Sequence, residues 1–213
     1  MSRLRITEIF FSLQGETRTV GIPTVFIRLT GCPLRCQYCD TAYAFQGGSQ
    51  VAIADILKQV ASYPTRYVTV TGGEPLAQKA CIELLEQLCN AGYHVSLETS
   101  GAIDISAVDK RVVKIVDIKT PGSLEETKNR WENMAHLLPQ DQIKFVICHR
   151  TDYEWAKKIL EQYQLSDVCE VLFSPSYQQQ KPGELADWIL QDRLPVRMQI
   201  QLHKYLWGDV AGR

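Results

Sequence analysis

Residues 24–41 read TVFIRLTGCPLRCQYCDT. The first seven are β-branched or apolar at nearly every position, the composition of a strand. A proline, two glutamine/arginine-type polar residues and three cysteines then follow in one short loop. A buried-type strand that runs straight into a polar, thiol-rich loop is the start of a β-loop-α unit, and the same grammar repeats along the chain. Strands are expected at 67–71, 93–98, 112–118, 142–148, 168–173 and 196–201, each short, rich in Val and Ile, and bounded by Gly, Pro, Asp or Ser. Between them, 53–62, 76–91, 151–164 and 184–191 carry apolar residues at helical spacing, with Gly92 placed to end the second. Residues 124–137 also read as a helix, although their apolar positions are sparse. Alternation of this kind predicts an α/β fold with a mainly parallel sheet and helical crossovers.

The whole chain has 213 residues, with 23 basic and 24 acidic side chains and a net charge of −1. That length suits one domain spanning 1–213. The near-neutral balance argues against the large electropositive surface that drives non-specific nucleic-acid binding. No apolar run is long enough for a membrane span, and the start MSRLRITEIFF lacks a signal-peptide pattern. A cytoplasmic location is therefore expected. Seven cysteines are an odd number for a disulfide framework, and in a reducing compartment clustered thiols more often mean metal or redox chemistry.

The unusual residues share an address. Cys32, Cys36 and Cys39 follow the strand at 24–30; Gly72-Gly73-Glu74-Pro75 follows the next; Glu98-Thr99-Ser100-Gly101, Asp117-Ile118-Lys119-Thr120-Pro121, Ser174-Pro175-Ser176 and Gln201-Leu202-His203 end later ones. Sites in α/β sheets are built at that edge. The spacing C-x3-C-x2-C places three thiols together with no fourth nearby. A closed structural zinc site takes four protein ligands, whereas an iron–sulfur cluster held by three thiolates keeps one iron open.

This motif, with an aromatic residue before its last cysteine and GGEP at 72–75, resembles the radical S-adenosylmethionine enzymes. Within them, the resemblance to the 7-carboxy-7-deazaguanine synthase family runs over nearly the whole chain. It is carried by Phe11–Glu16 (FSLQGE), Phe26-Ile27-Arg28-Leu29, Cys39-Asp40-Thr41, Thr71–Pro75, 98–101, 117–121 and 201–204. It implies an abbreviated, partial TIM-like barrel, shorter than the full (β/α)8 form of about 250 residues. It also implies a [4Fe–4S] cluster on Cys32, Cys36 and Cys39, and S-adenosylmethionine near Tyr38, Asp40, Gly73, Glu74, Asp117, Lys119 and Ser174. Mg²⁺ is implied at Thr41, a hard-oxygen position suited to that ion. The substrate implied is 6-carboxy-5,6,7,8-tetrahydropterin, held by Leu13, Gln14, Gly15, Glu16, Arg28 and Thr71, with ring contraction and loss of ammonia in queuosine or deazapurine biosynthesis. A homodimer and a flavodoxin-type electron donor are the family's habit; nucleic acid and membrane are not among its direct partners.

Several positions keep two readings. Asp40-Thr41 also fits a turn cap. Arg28 alternates with Phe26 and Thr30 on one face of its strand, and a guanidinium there needs an anion, either the substrate carboxylate or a structural acid. Glu16 suits the guanidine-like edge of a pterin. Lys119 could pair with Asp117, Glu98 could be a displaced acid, and His203 could simply pack. The segment 121–141 lacks a family signature. In some family members the terminal carboxylate reaches the substrate; that contact is not carried over to the closing residues here. The rival functions are a glycyl-radical enzyme activase, which shares the cysteine spacing, and a non-catalytic metal-binding module.

Overall fold

In the computed structural model, which describes residues 2–212, the alternation at 24–30 becomes strand β2 (Pro23–Leu29). Val25, Ile27 and Leu29 are fully buried in the core, while Phe26 and Arg28 face a cavity on the other side. The two faces of one strand thus separate packing from chemistry. The same sheet continues through β4 (Tyr67–Gly72), β5 (His94–Thr99), β6 (Val113–Ile118), β7 (Gln142–Ile147), β8 (Glu170–Pro175) and β9 (Arg197–Met198), all parallel. Helices α1 (Ile53–Val60), α2 (Cys81–Asn90), α3 (Arg150–Gln162), α4 (Leu165–Val168) and α5 (Pro182–Asp192) form the crossovers. Their buried residues, including Ile56, Leu84, Leu85, Leu88, Tyr153, Ala156 and Leu185, pack onto the outer face of the sheet.

Two antiparallel strands complete the edge. β1 (Arg3–Leu13) pairs with β2 and with β3 (Ser49–Ala52), giving the order β3-β1-β2-β4-β5-β6-β7-β8-β9. Neither was among the expected strands. The loop between β1 and β2 crosses to the far side of the sheet. There the Thr17 N–H donates to Gln199 Oε1 at 2.9 Å, and the Arg18 N–H to Gln142 Oε1 at 3.0 Å. Gln142 opens β7 and Glu170, the ion-pair partner of Arg18, opens β8. The loop therefore bridges the strands' N-terminal ends across an open, partial barrel, and it brings Gln14 and Glu16 into the interior.

Three expected elements differ. The helix expected over 76–91 splits into a 3-10 turn (Pro75–Ala77) and α2, because Gln78 is extended. Its carboxamide accepts from the Arg5 N–H at 2.8 Å and donates to Arg5 O and Thr30 O at 2.9 and 3.0 Å, tying the chain to β1. The helix expected over 124–137 is replaced by 3-10 turns at Glu126–Lys128 and Trp131–His136. Leu124 sits at φ +64°, and the buried side chains of Asn129 and Asn133 bond the loop backbones at Lys119, Gly101 and Ile103. These brackets need the chain to run past the loops and not coil away from them. The strand expected over 196–201 is only two residues long, and helix α6 (Leu202–Trp207) follows it.

Candidate active site

The C-terminal ends of the parallel strands open into one cavity of about 450 Å³. The loop after β2 gives it Cys32, Cys36, Tyr38, Cys39, Asp40 and Thr41. β4 gives Thr71 and Gly73, β5 Glu98, the end of β6 Asp117 and Lys119, and β8 Ser174. Leu13, Gln14, Gly15 and Glu16 enter from the β1–β2 loop, and Arg28 from the inner face of β2. Of the residues expected to form a site, all but Glu74 line this one space.

The three thiols are partly buried and free of disulfides. Burial raises the pKa of all three, that of Cys36 to about 11, while the Lys119 ammonium opposes the rise at each. Metal coordination deprotonates a thiol outright, so this is a donor set that bound iron would convert to thiolates. Among the described residues no group of three or more His, Cys, Asp or Glu side chains is arranged to hold a single metal ion. A cubane asks each thiol to reach a different iron, and the three thiols line one cavity. Beside them, the buried Tyr38 hydroxyl has no hydrogen-bond partner in the protein. The residues fit a three-thiolate cluster with a ligand against it.

Gly73 is needed for a reason internal to the fold. A Cβ there would stand 2.2 Å from Gly31 O and 2.9 Å from Cys32 Cβ. The Glu74 N–H donates to the same Gly31 O at 2.8 Å. The close approach is between the β4 end and the cysteine loop. The Glu74 side chain lies outside the cavity lining. It is fully buried and accepts from the Leu76 N–H (3.0 Å), Thr99 Oγ1 (3.0 Å), the Ser100 N–H (2.7 Å) and Ser100 Oγ (2.5 Å). With its accepting positions taken up by these protein donors, Glu74 is a clamp between strand ends.

Each cation in the cavity has a carboxylate partner. Arg28 Nε donates to Glu8 Oε1 at 2.7 Å, with Tyr43 Oη donating to the same oxygen at 2.8 Å. The structural acid expected as one alternative for Arg28 thus exists, yet it takes only one edge of the guanidinium. The terminal nitrogens make no hydrogen bond to the described residues, and the Phe10 and Tyr43 rings lie 5.5 and 5.8 Å from the guanidinium carbon. Lys119 lies 3.0 Å from Asp117 Oδ1, as one reading expected. Burial works against its charge, but the Asp117 carboxylate beside it outweighs that and holds it protonated.

Lys144, which sequence analysis did not single out, binds Glu16 and lies 3.6 Å from Asp117. Burial again disfavours its charge, and Glu16, Asp117 and Glu98 more than compensate. The alternation that isolates Arg28 in β2 isolates Lys144 in QIKFVI, so the signal was there. Gln14 donates to Thr69 Oγ1 at 3.1 Å and accepts from the Glu16 N–H at 3.1 Å. Glu98 accepts from Thr71 Oγ1 at 2.8 Å; burial and the Glu16 charge push its carboxyl pKa up.

The comparisons with known proteins accord with this geometry. The radical SAM superfamily model matches residues 26–164. The 7-carboxy-7-deazaguanine synthases of Koribacter versatilis and Chlorobaculum tepidum are each 42% identical to this chain. They cover 96% and 98% of it, and the matches cover 97% and 96% of their own lengths. The chain belongs to the 7-carboxy-7-deazaguanine synthase family. It is a radical S-adenosylmethionine enzyme, and the family's cofactors are a [4Fe–4S] cluster and S-adenosylmethionine. Neither the activase nor the metal-module reading is favoured. The fold is that of a crystal structure of QueE from Escherichia coli, with a TM-score of 0.78 at 22% identity over 94% of this chain and 95% of that one. Streptococcus suis SuiB bound to S-adenosylmethionine superposes with a TM-score of 0.56 at 15% identity, over 80% of this chain and 45% of that one. Among the described residues no helix is long and apolar enough to cross a membrane.

Proposed function

We propose that the cavity converts 6-carboxy-5,6,7,8-tetrahydropterin to 7-carboxy-7-deazaguanine with loss of ammonia, in queuosine or deazapurine biosynthesis. The observation that carries this is a shared space: three thiols, an arginine with unbonded terminal nitrogens and the Gln14–Glu16 edge all open into one cavity. When bound, the cluster and S-adenosylmethionine supply a carbon-centred radical that removes hydrogen from the substrate. The chain's own residues position and neutralise. Arg28 presents a planar fork to the substrate carboxylate. Glu16, held in place by Lys144 and by Gln201 Nε2 at 2.8 Å, accepts from the donor edge of the pterin. Gln14, Gly15, Leu13 and Thr71 complete that wall. Tyr38, Asp40, Gly73, Asp117, Lys119 and Ser174 form the wall toward S-adenosylmethionine.

The charge balance supports a role for Mg²⁺. Each cavity cation already has a carboxylate: Arg28 has Glu8, Lys144 has Glu16, Lys119 has Asp117, and Lys204 has Asp40. An incoming carboxylate therefore meets no surplus positive charge, and an added divalent ion supplies it. Asp40 and Thr41 offer the hard oxygens that ion prefers. Thr41 Oγ1 donates its proton to Asp40 Oδ1 at 2.9 Å, which leaves the hydroxyl lone pairs free for a cation. A homodimer with a flavodoxin-type electron donor in the cytoplasm completes the reading. Anaerobic turnover of 6-carboxytetrahydropterin followed by mass spectrometry tests it: a product lighter by ammonia is expected, and unchanged pterin under reducing conditions overturns it.

A further inference from the structure

Lys204 has no part in the account above beyond its charge. It lies on α6, only 8% exposed, with its ammonium 3.0 Å from Asp40 Oδ2. The Tyr177 ring centroid is 4.8 Å away and Asp209 Oδ1 3.8 Å away. The segment that delivers it is pinned on its N-terminal side. The Leu202 N–H donates to Gly15 O at 2.9 Å, and Gln201 Nε2 donates to Glu16 Oε1 at 2.8 Å and to Asp40 Oδ2 at 3.3 Å. The ammonium is therefore placed, and not a surface lysine that happens to fall near an acid.

We propose that Lys204 is a resident counter-ion on Asp40 that competes with the divalent cation for the Asp40–Thr41 oxygens, and so sets how tightly this enzyme holds its metal. The inference rests on the reading of Asp40 and Thr41 as the metal position. Two effects act with the same sign. One oxygen of Asp40 is occupied by the ammonium, and the ammonium's charge repels a second cation arriving at the same carboxylate. Removing Lys204 leaves that oxygen with only the longer contact from Gln201 Nε2, at 3.3 Å, and removes the repulsion as well. Metal binding thereby couples to the docking of α6, because a cation that takes Asp40 Oδ2 displaces the anchor of that helix.

The test uses Mn²⁺ as a paramagnetic probe of the site. The cluster-loaded enzyme is held anaerobically with S-adenosylmethionine and substrate but without reductant, so no turnover occurs, and free Mn²⁺ is measured by electron paramagnetic resonance. Lys204→Met is expected to bind Mn²⁺ about tenfold more tightly than the parent, and Lys204→Arg, which keeps the charge, to stay near the parent. In an Asp40→Asn background the Lys204→Met gain should vanish, as the cycle logic for a direct pair requires. Unchanged or weaker Mn²⁺ binding by Lys204→Met overturns the proposal, as does a gain that survives Asp40→Asn. Should Lys204→Met not fold, Lys204→Gln carries the same expectation. Thr41→Ala separates the layers. If it leaves the affinity unchanged while Lys204→Met still tightens it, the Thr41 assignment fails and the competition at Asp40 stands. If neither parent nor variants take up Mn²⁺, both fall.

Discussion

Glu74 and Ser100 join the ends of strands β4 and β5: Ser100 gives the buried carboxylate both its N–H, at 2.7 Å, and its hydroxyl, at 2.5 Å. The GGEP segment and the ETSG segment look like two separate ligand loops in sequence. In three dimensions one is the hydrogen-bond acceptor of the other, and the cysteine loop rests on the GGEP segment through Gly31, whose carbonyl accepts from the Glu74 N–H.

That clamp has a measurable cost of removal. Glu74→Ala leaves three side-chain or backbone donors of Thr99 and Ser100 unpaired in a buried setting, and each unsatisfied group costs about 1–3 kcal/mol. Urea unfolding of the purified chain is expected to show a loss of roughly 3 kcal/mol or more. A loss below about 1 kcal/mol would mean that Glu74 is not the clamp described.

Cys36→Ala removes one of the three thiols that line the cavity. Iron content, the visible absorption of the reconstituted protein and turnover should fall together. Full turnover by this variant would discard the radical mechanism.

Arg28→Ala removes the fork and leaves Glu8 without its cation 2.7 Å away. Both changes disfavour an anionic ligand. Titration calorimetry is expected to show binding of the carboxylated pterin weakened by roughly 10–100-fold, the range for loss of a charged hydrogen bond. A decarboxylated analogue should lose far less; equal losses for the two ligands would reassign Arg28 to structure.

His203 packs against Gly15, where a Cβ would come within 2.1 Å of its Nδ1. Burial depresses its pKa, opposed by the Glu16 and Asp40 charges. A histidine with a native pKa below the ordinary value of about 6.5 takes its proton first in the unfolded chain. Its contribution to stability is therefore complete above about pH 6.5 and shrinks as the pH falls below that value. Equilibrium unfolding between pH 7.5 and 5 should show the parent losing stability faster than His203→Gln. Parallel curves would contradict the burial of the ring.

Much of this was legible in one dimension. The β2 alternation predicted which side chains enter the core and which enter the cavity, and Val25, Ile27, Leu29 and Arg28 lie accordingly. Applied to β7, the same argument would have marked Lys144. The segment 124–137 misled because asparagine side chains that bracket distant loops carry no local periodicity. The packing of Gly73 on Gly31 was not legible either, because it joins two loops that are far apart in the chain.

Local patterning by itself determined the alternation of strands and helices, the three-thiol loop and the face of each strand that bears polar groups, since those follow from side-chain period and spacing. Only the tertiary structure decided that the β1–β2 loop enters from the opposite end of the barrel, that Glu8 claims one edge of Arg28, and that Lys204 rests on Asp40. Each of these joins residues far apart in the chain, and such pairings are set by how the sheet curls and where its loops cross, which no local pattern encodes.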